Sequence, residues 1–172
     1  MTPRAVIVGP PGSGKSTVGP KLAERLGVAF RDSDDDIVER AGKSIADIFT
    51  EEGEPAFREQ EEAAIVTALA EHEGVLAVGG GAVLAPSTRA AFADHTVVFL
   101  NVGMAAGLKR VGLSTARPLL AGVNPRATYK SLLDARLPVY REVATIEVTT
   151  DDRTPDEVVE AIAELLDRLP TQ

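Results

Sequence analysis

Short runs of apolar residues alternate with longer amphipathic segments along most of the chain. The apolar runs predict five β-strands, at residues 5–8, 28–30, 76–78, 96–100 and 145–148. Helical spacing predicts helices between these strands and after the last one. Their ranges are 15–26, most of 34–72 with breaks near Gly42 and Gly53, 87–93, 105–110, 126–137 and 155–169.

Two segments interrupt this alternation. The acidic stretch at 31–36 is expected to be a turn, and the stretch at 112–125 has no clear periodicity. The second stretch is long enough to be either a surface loop or a lid over a ligand. The helix that begins at Arg126 is expected to stop before Pro138, because a residue that precedes proline disfavours the α conformation.

Alternation of strand and helix predicts an α/β fold: a five-stranded parallel sheet flanked by helices on both faces. No repeat or linker divides the 172 residues, so we expect a single domain over 1–172. Parallel sheets of this kind bind ligands at the carboxyl ends of their strands, where the strand order reverses. The candidate functional residues follow strands in the sequence, as this rule requires.

Composition excludes several classes of protein. The chain has no cysteine, which excludes disulfides, thiolate catalysis and Cys-ligated zinc. No run approaches the roughly 18 apolar residues of a membrane span, and no signal peptide is evident. A net charge of −8 argues against general binding to nucleic acid or to anionic membranes. A cytoplasmic location is therefore expected.

A phosphate-binding loop is the clearest motif. Residues 9–16 match G-x-x-x-x-G-K-[ST] at every fixed position, between a predicted strand and a predicted helix. Backbone N–H groups of such a loop point inward at phosphates, and the helix N-terminus adds positive potential. Lys15 is expected to reach the β- and γ-phosphates of a nucleotide, and the Ser16 hydroxyl is expected to ligate Mg²⁺.

An acidic pair follows the second strand. Asp32 and Asp34 are spaced i, i+2, on the same side of a segment expected to be extended. One carboxylate could order the Mg²⁺ shell while the other contacts an acceptor hydroxyl. The alternative is an acidic helix start, which we favour for Asp35 and Asp36 because carboxylates suit a helix N-terminus.

Arginines and glycines provide further candidates. Arg58 has Glu54 four residues before it and Glu61 three residues after it, so both can brace its guanidinium on one helix face; a solvated ion-pair network is the alternative. Gly79, Gly80 and Gly81 end the third strand, where they form a tight turn or allow a ligand to approach the backbone. Arg110 and Arg136 are expected at helix C-terminal ends, which favour cations without any further role.

Together these features resemble shikimate kinase over nearly the whole chain. The resemblance rests on the phosphate loop, Asp32-x-Asp34, the segment from Gly53 to Glu61, the glycines followed by Val83, and Arg117-Pro118-Leu119-Leu120, with Arg136 and Tyr140 after them. It is closest to the actinobacterial members, because the segment 44–49 is preserved as well. The family implies a P-loop fold of the nucleoside-monophosphate-kinase type, with a substrate-binding helical region at about 33–61 and a lid at about 112–125.

The resemblance also implies a role for each matching residue. Arg58 and Arg136 would hold the carboxylate of shikimate, and Asp34 would hold its hydroxyls and act in catalysis. The remaining pocket residues would be Phe49, Phe57, Gly79, Gly80 and Gly81. The enzyme would transfer the γ-phosphoryl group of ATP to the 3-hydroxyl of shikimate, in the biosynthesis of aromatic amino acids, and is expected to be a monomer.

On the nucleotide side the resemblance implies that ATP lies on the phosphate loop and the first turn of the following helix. The residues concerned are Gly12, Ser13, Gly14, Lys15, Ser16 and Thr17. Lys15 and Arg117 would steady the transferring phosphoryl group, with Arg117 arriving on the lid. Ser16 and, through a water, Asp32 would place one Mg²⁺. Arg110 and Arg153 would flank the adenine.

Two rival functions stay open on the sequence. Another small-molecule kinase of the same fold, for gluconate or a nucleoside monophosphate, would differ in its acceptor. A nucleotide-dependent switch without an acceptor would usually carry a guanine-reading N-K-x-D segment, which this chain lacks.

Overall fold

The computed structural model describes residues 2–111 and 124–170. Its five strands are β1 (Ala5–Val8), β2 (Phe30–Asp32), β3 (Val75–Ala77), β4 (Val97–Asn101) and β5 (Ile146–Thr149). Its eight α-helices are α1 (Lys15–Leu26), α2 (Ser33–Ala41), α3 (Ile45–Glu52), α4 (Glu54–Glu71), α5 (Pro86–Phe92), α6 (Met104–Val111), α7 (Pro125–Val143) and α8 (Pro155–Asp167). A short 3-10 helix, which was not predicted, spans Ala82–Leu84.

The predicted sheet is confirmed. All five strands are parallel, in the order β2-β3-β1-β4-β5. All four residues of β1 are buried, as the central strand of a sheet covered on both faces must be. The chain leaves β1 between two strands that it reaches later, β3 on one side and β4 on the other. Such a switch point opens a crevice at the carboxyl end of β1.

Helices cover the two faces of the sheet with separate apolar clusters. On one face, α1 and α8 pack through residues such as Leu22 and Ile162. On the other, α4, α5 and α7 contribute Ile65, Phe92 and Tyr140. Burying these side chains supplies most of the free energy of folding.

The helices α2, α3 and α4 share a third, smaller apolar cluster. It consists of Ile37, Ile48, Phe57 and Ala64, with Ile45 and Phe49 against it. The three helices therefore have a core of their own beside the sheet. This core fixes the three helices relative to one another, while α4 also packs on the sheet through Ile65.

The predicted position of the second strand is wrong by two residues, and the turn expected at 31–36 is wrong as well. The strand lies at Phe30–Asp32 rather than 28–30, and α2 begins at Ser33, one residue before the predicted helix start. Pairing with β3 explains the shift, because Phe30 pairs with Val75 and Asp32 with Ala77. The acidic residues then fall in the first turn of α2, which favours negative charge.

The helix expected to end before Pro138 continues to Val143. A proline inside a helix removes one hydrogen bond and costs about 3 kcal/mol. Tertiary contacts of the next turn offset this cost: Tyr140 is buried, stacks on Phe99 with ring centroids 5.0 Å apart, and donates a hydrogen bond to Gly80. Arg136 consequently lies inside a helix and not at its end.

Within residues 2–111 and 124–170, no helix is both long enough and apolar enough to cross a bilayer.

Candidate active site

The phosphate loop joins β1 to α1 at the crevice of the sheet. Gly12 and Gly14 have φ values of +84° and +94°, in the left-handed region that glycine tolerates without strain. The Ser13 N–H donates to the Pro10 carbonyl at 3.1 Å, which closes the turn. Gly14 is the N-cap of α1, so Lys15, Ser16 and Thr17 form the first turn of the helix. The arrangement is a preformed anion cradle.

Lys15 lies over this loop. Its ammonium donates to the Gly9 carbonyl at 2.6 Å and to the Pro10 carbonyl at 3.1 Å. Ser16 and Thr17, by contrast, are exposed to solvent. A cation held at the mouth of a nest of N–H groups suits the binding of a polyphosphate.

Asp32 and Asp34 were expected to lie on one extended segment. The structure instead places Asp32 at the end of β2 and Asp34 in the first turn of α2. Asp32 is the N-cap of α2, and its carboxylate accepts a hydrogen bond from the Asp34 N–H at 2.9 Å. Burial, and secondly the Asp34 carboxylate, raise the pKa of Asp32 to about 6, although Lys15 acts in the opposite sense. One oxygen of Asp34 is also buried.

Asp35 and Asp36 lie in the first turn of α2, which confirms the acidic helix start predicted for them. Asp36 pairs with Arg31 at 2.8 Å, so its role is structural.

Arg58 is braced as the helical spacing predicted. Its Nη1 donates to Glu61 at 2.8 Å and its Nη2 to Glu54 at 3.3 Å. Glu61 is only 2% exposed, so one partner of this cation is a buried carboxylate. The guanidinium carbon also lies 5.2 Å from the centre of the Phe57 ring, which packs on Phe49 at 4.7 Å. Two aromatic rings and two carboxylates thus fix the guanidinium.

The structure brings Arg58 against the three glycines. A β-carbon on Gly81 would lie 2.5 Å from Nη2 of Arg58 and 2.6 Å from Nη1, so any side chain there would displace the guanidinium. A β-carbon on Gly80 would lie 3.0 Å from Cδ of Pro11. All three glycines are buried. They therefore form a thin wall between the guanidinium on one side and the phosphate loop on the other.

Arg136 is buried in α7, with 6% of its surface exposed. Within the described part of the chain, its Nη1 has no hydrogen-bond partner. Arg136 precedes Tyr140 by one helical turn, and Tyr140 donates to the Gly80 carbonyl. A buried guanidinium N–H without a partner is costly, and an anion bound there would satisfy it.

A cavity lies beside the phosphate loop. Arg110 donates to the Gly12 carbonyl at 3.0 Å and to the Thr150 hydroxyl at 3.3 Å. The cavity has a volume of about 280 Å³. Its lining includes Ser13, Gly14, Thr17, Arg110, Thr150 and Arg153. Arg110 and Arg153, expected together from the resemblance, thus meet beside the loop.

Residues 112–123 of the predicted lid, including the predicted catalytic residue Arg117, lie outside the described residues. The last two lid positions, Asn124 and Pro125, form the N-cap and first residue of α7.

The candidate metal ligands fit Mg²⁺ by their chemistry. No group of three metal-binding His, Cys, Asp or Glu side chains occurs among the residues that the structure describes. Mg²⁺ needs none, because it keeps several waters and binds through one or two protein oxygens and the phosphates of a substrate. Ser16 and Asp32 supply a hydroxyl and a carboxylate, the oxygen ligands that it prefers.

Sequence reasoning missed one residue at this site. Tyr129 is buried in α7 and donates to the Pro11 carbonyl of the phosphate loop at 2.5 Å. Burial raises its pKa to about 12, so the phenol is a donor at any physiological pH. No motif marks Tyr129. The only available signal was its helical spacing from Tyr140, and the helix boundary expected at Pro138 concealed it.

Comparison with known proteins gives one consistent result. A model of the shikimate kinase family matches residues 11–167. A shikimate kinase of Saccharopolyspora erythraea is 67% identical over 164 residues, covering 95% of this chain and 94% of that protein. One of Streptomyces avermitilis is 56% identical over 165 residues, covering 96% of each.

Solved structures agree. Shikimate kinase from Acinetobacter baumannii in complex with shikimate superposes with a TM-score of 0.93 at 35% identity, covering 99% of this chain and 96% of that one. A gluconokinase from Sinorhizobium meliloti reaches a TM-score of 0.59 at 23% identity, with 95% of this chain and 91% of that one covered. The second likeness concerns the fold alone.

Proposed function

This chain belongs to the shikimate kinase family and phosphorylates shikimate at the expense of ATP, and we propose that the acceptor atom is the 3-hydroxyl oxygen. The products would be shikimate 3-phosphate and ADP. The observation that carries the proposal is the thin glycine wall, with the Arg58 guanidinium on one side and the phosphate loop on the other. It puts a group suited to binding a carboxylate beside a loop suited to binding phosphates.

The acceptor pocket is proposed to hold shikimate by its carboxylate. Arg58 and Arg136 would grip the two oxygens, because guanidinium groups match carboxylates in shape and charge. Glu61 and Glu54 keep Arg58 in place before the substrate arrives, so little side-chain entropy is lost on binding. The rings of Phe49 and Phe57 and the backbone of Gly79, Gly80 and Gly81 would line the rest.

Asp34 is proposed to orient the 3-hydroxyl and to receive its proton. Phosphoryl transfer passes through a loose transition state, so alignment of the hydroxyl with the γ-phosphorus matters more than base strength. The bond from the hydroxyl oxygen to phosphorus forms as the bond from phosphorus to the β,γ-bridging oxygen breaks. The hydroxyl proton passes to Asp34 late, and ADP leaves.

Charge on the transferring group is proposed to be neutralised from the loop side. Lys15 would leave the Gly9 and Pro10 carbonyls for the β- and γ-phosphates, and Arg117 would approach with the lid at about 112–125. Ser16 and, through a water, Asp32 would hold one Mg²⁺, which supplies further charge neutralisation when bound. Gly12, Ser13, Gly14 and Thr17 would complete the phosphate site.

The adenine is proposed to lie in the 280 Å³ cavity between Arg110 and Arg153. A guanidinium plane stacks well on a flat aromatic base. We further propose one functional domain over 1–172 with its acceptor region at about 33–61, acting as a monomer in the cytoplasm. Sedimentation equilibrium of the purified chain tests the monomer.

Release of ADP from ATP, measured with and without shikimate, tests the function. Shikimate should accelerate the release strongly, whereas gluconate and nucleoside monophosphates should not. The Asp34→Asn variant should lose about 10²-fold or more in kcat and still bind ATP. Asp35→Asn is the matched control, because Asp35 is the exposed neighbour on the same helix turn, and it should behave as wild type. Slow hydrolysis that ignores every acceptor would indicate a nucleotide switch instead.

A further inference from the structure

Both tyrosines of the chain lie in α7, and each donates a hydrogen bond to a different loop of the candidate site. Tyr129, 0% exposed, donates to the Pro11 carbonyl of the phosphate loop. Tyr140, 1% exposed, donates to the Gly80 carbonyl of the glycine turn. Each loop belongs to one substrate: the first to the phosphoryl donor and the second to the acceptor.

The spacing of the two tyrosines places them on one stripe of the helix. Eleven residues correspond to about three full turns, or about 16 Å along the axis. From these separated positions the two rings converge on loops that touch each other. A β-carbon at Gly80 would lie 3.0 Å from Cδ of Pro11 and 3.3 Å from the Gly9 carbonyl. A side chain at Gly80 would fit only if its neighbours shifted by a few tenths of an ångström, so the two loops are in close contact. Their separation therefore depends on the groups that support each loop.

Arg136 lies on the same stripe, seven residues after Tyr129 and four before Tyr140. It is buried, and in the described part of the chain its Nη1 has no hydrogen-bond partner. Burying a guanidinium N–H without a partner costs free energy. The hydrogen bonds of Tyr129 and Tyr140 fix the helix on either side of Arg136.

Neighbouring residues fix the position of each tyrosine side chain. A β-carbon on Gly107 of α6 would overlap the Tyr129 hydroxyl, so a glycine there provides the space. The Tyr140 ring stacks on Phe99 of β4, with an angle of 23° between the ring planes. The Tyr129 side chain is therefore fixed by α6 and the Tyr140 side chain by β4, so the two are held by different elements.

We propose that Tyr129 and Tyr140 are positioning residues that hold the donor loop and the acceptor loop in register on a single helix. Tyr140 positions the acceptor loop through its hydrogen bond to Gly80, and it holds the neighbouring turn of α7 so that Arg136 stays buried. Tyr129 sets the donor side, through Pro11. In-line phosphoryl transfer loses rate steeply when the reacting atoms are misplaced by about 1 Å. This inference rests on the proposed function, because it assigns one loop to each substrate.

Tyr129→Phe and Tyr140→Phe test the inference, since each removes one hydroxyl and keeps the ring. Tyr140→Phe should raise the KM for shikimate about 5- to 10-fold and leave the KM for ATP within about twofold. Tyr129→Phe should raise the KM for ATP about 5- to 10-fold and leave the KM for shikimate within about twofold. Phe92→Leu is the packing control: Phe92 belongs to the same apolar cluster as Tyr140 and touches neither loop by a hydrogen bond. It should lower the melting temperature with both KM values unchanged.

Two results would overturn the inference. One is that both phenylalanine variants behave like Phe92→Leu, which would make the tyrosines ordinary core residues. The other is that either variant raises both KM values equally. Calorimetric titration with ADP, which needs no acceptor, should show weaker binding to Tyr129→Phe and wild-type binding to Tyr140→Phe. If wild type itself released no ADP in response to shikimate, the proposed function would fail, and the titration would still decide the role of Tyr129.

Discussion

Replacing Asp32 with asparagine is expected to stabilise the protein while impairing its use of Mg²⁺ and ATP. The Asp32 carboxyl is the N-cap of α2 and lies close to Asp34. Asparagine has nearly the same shape and can accept the same hydrogen bond from the Asp34 N–H, since both residues are good N-caps. The substitution therefore removes the buried charge and leaves the cap.

The magnitude follows from the pKa. Burial raises the pKa of Asp32 from 3.8 to about 6. Each pKa unit corresponds to about 1.4 kcal/mol, so ionised Asp32 costs the fold up to about 3 kcal/mol. A carboxyl with a higher pKa in the folded state stabilises the fold only where it is protonated. Wild type therefore loses this free energy as the pH rises from about 4 to about 6 and beyond. The Asp32→Asn variant has no such loss, because an amide does not titrate in this range.

Urea unfolding in the presence of a chelator and without nucleotide provides the measurement. At pH 8 the Asp32→Asn variant should exceed wild type by up to about 3 kcal/mol, and at pH 5 by about half as much. Asp36→Asn is the matched control, because it breaks the ion pair with Arg31 and should lower stability by up to about 1 kcal/mol. A variant no more stable than wild type at pH 8, or a gain that does not shrink towards pH 5, would refute the reasoning.

Three further substitutions probe the contacts of Arg58. Gly81→Ala places a β-carbon 2.5 Å from the Arg58 guanidinium at a backbone conformation (φ −96°) that alanine adopts freely. It should raise the KM for shikimate about tenfold and lower stability by only about 1 kcal/mol, because the tip of a flexible side chain can move; an unchanged KM would contradict the contact. Glu61→Gln weakens a buried charge-assisted hydrogen bond and should cost about 1–3 kcal/mol in urea unfolding. Glu54→Gln, on the exposed partner, should cost less than about 0.5 kcal/mol, and equal losses would contradict the difference in burial.

The phosphate loop could be predicted because its determinants are local. Gly12, Gly14 and Lys15 lie in one short segment, and their backbone conformations follow from the residue types. The brace around Arg58 was equally local, because helical spacing alone places Glu54 and Glu61 beside the guanidinium. The position of the loop between β1 and α1 and the contacts of Arg58 are confirmed, and the roles of these residues in binding stay predictions.

The helix α7 could not be predicted from local rules. A proline favours a helix end, and the sequence offers nothing near Pro138 to oppose it. The opposing contacts join Tyr140 to Gly80 and to Phe99, respectively 60 and 41 positions earlier in the chain. The turn expected at 31–36 was wrong for the same reason, since pairing of Asp32 with Ala77 extends β2 into the acidic stretch.

The candidate site combines groups that a fold selected for stability alone would avoid. Asp32 is buried enough to raise its pKa, and the Nη1 of Arg136 is buried with no hydrogen-bond partner in the described residues. Ion pairs remote from the strand ends, such as that of Lys130 with Asp134, are exposed and weak. Unfavourable burial is concentrated where a cation and a carboxylate are proposed to bind, and bound substrates would supply the missing partners. Stability should therefore rise on binding shikimate by more than the contacts of a neutral ligand of equal size would give, because Arg136 gains its counter-charge.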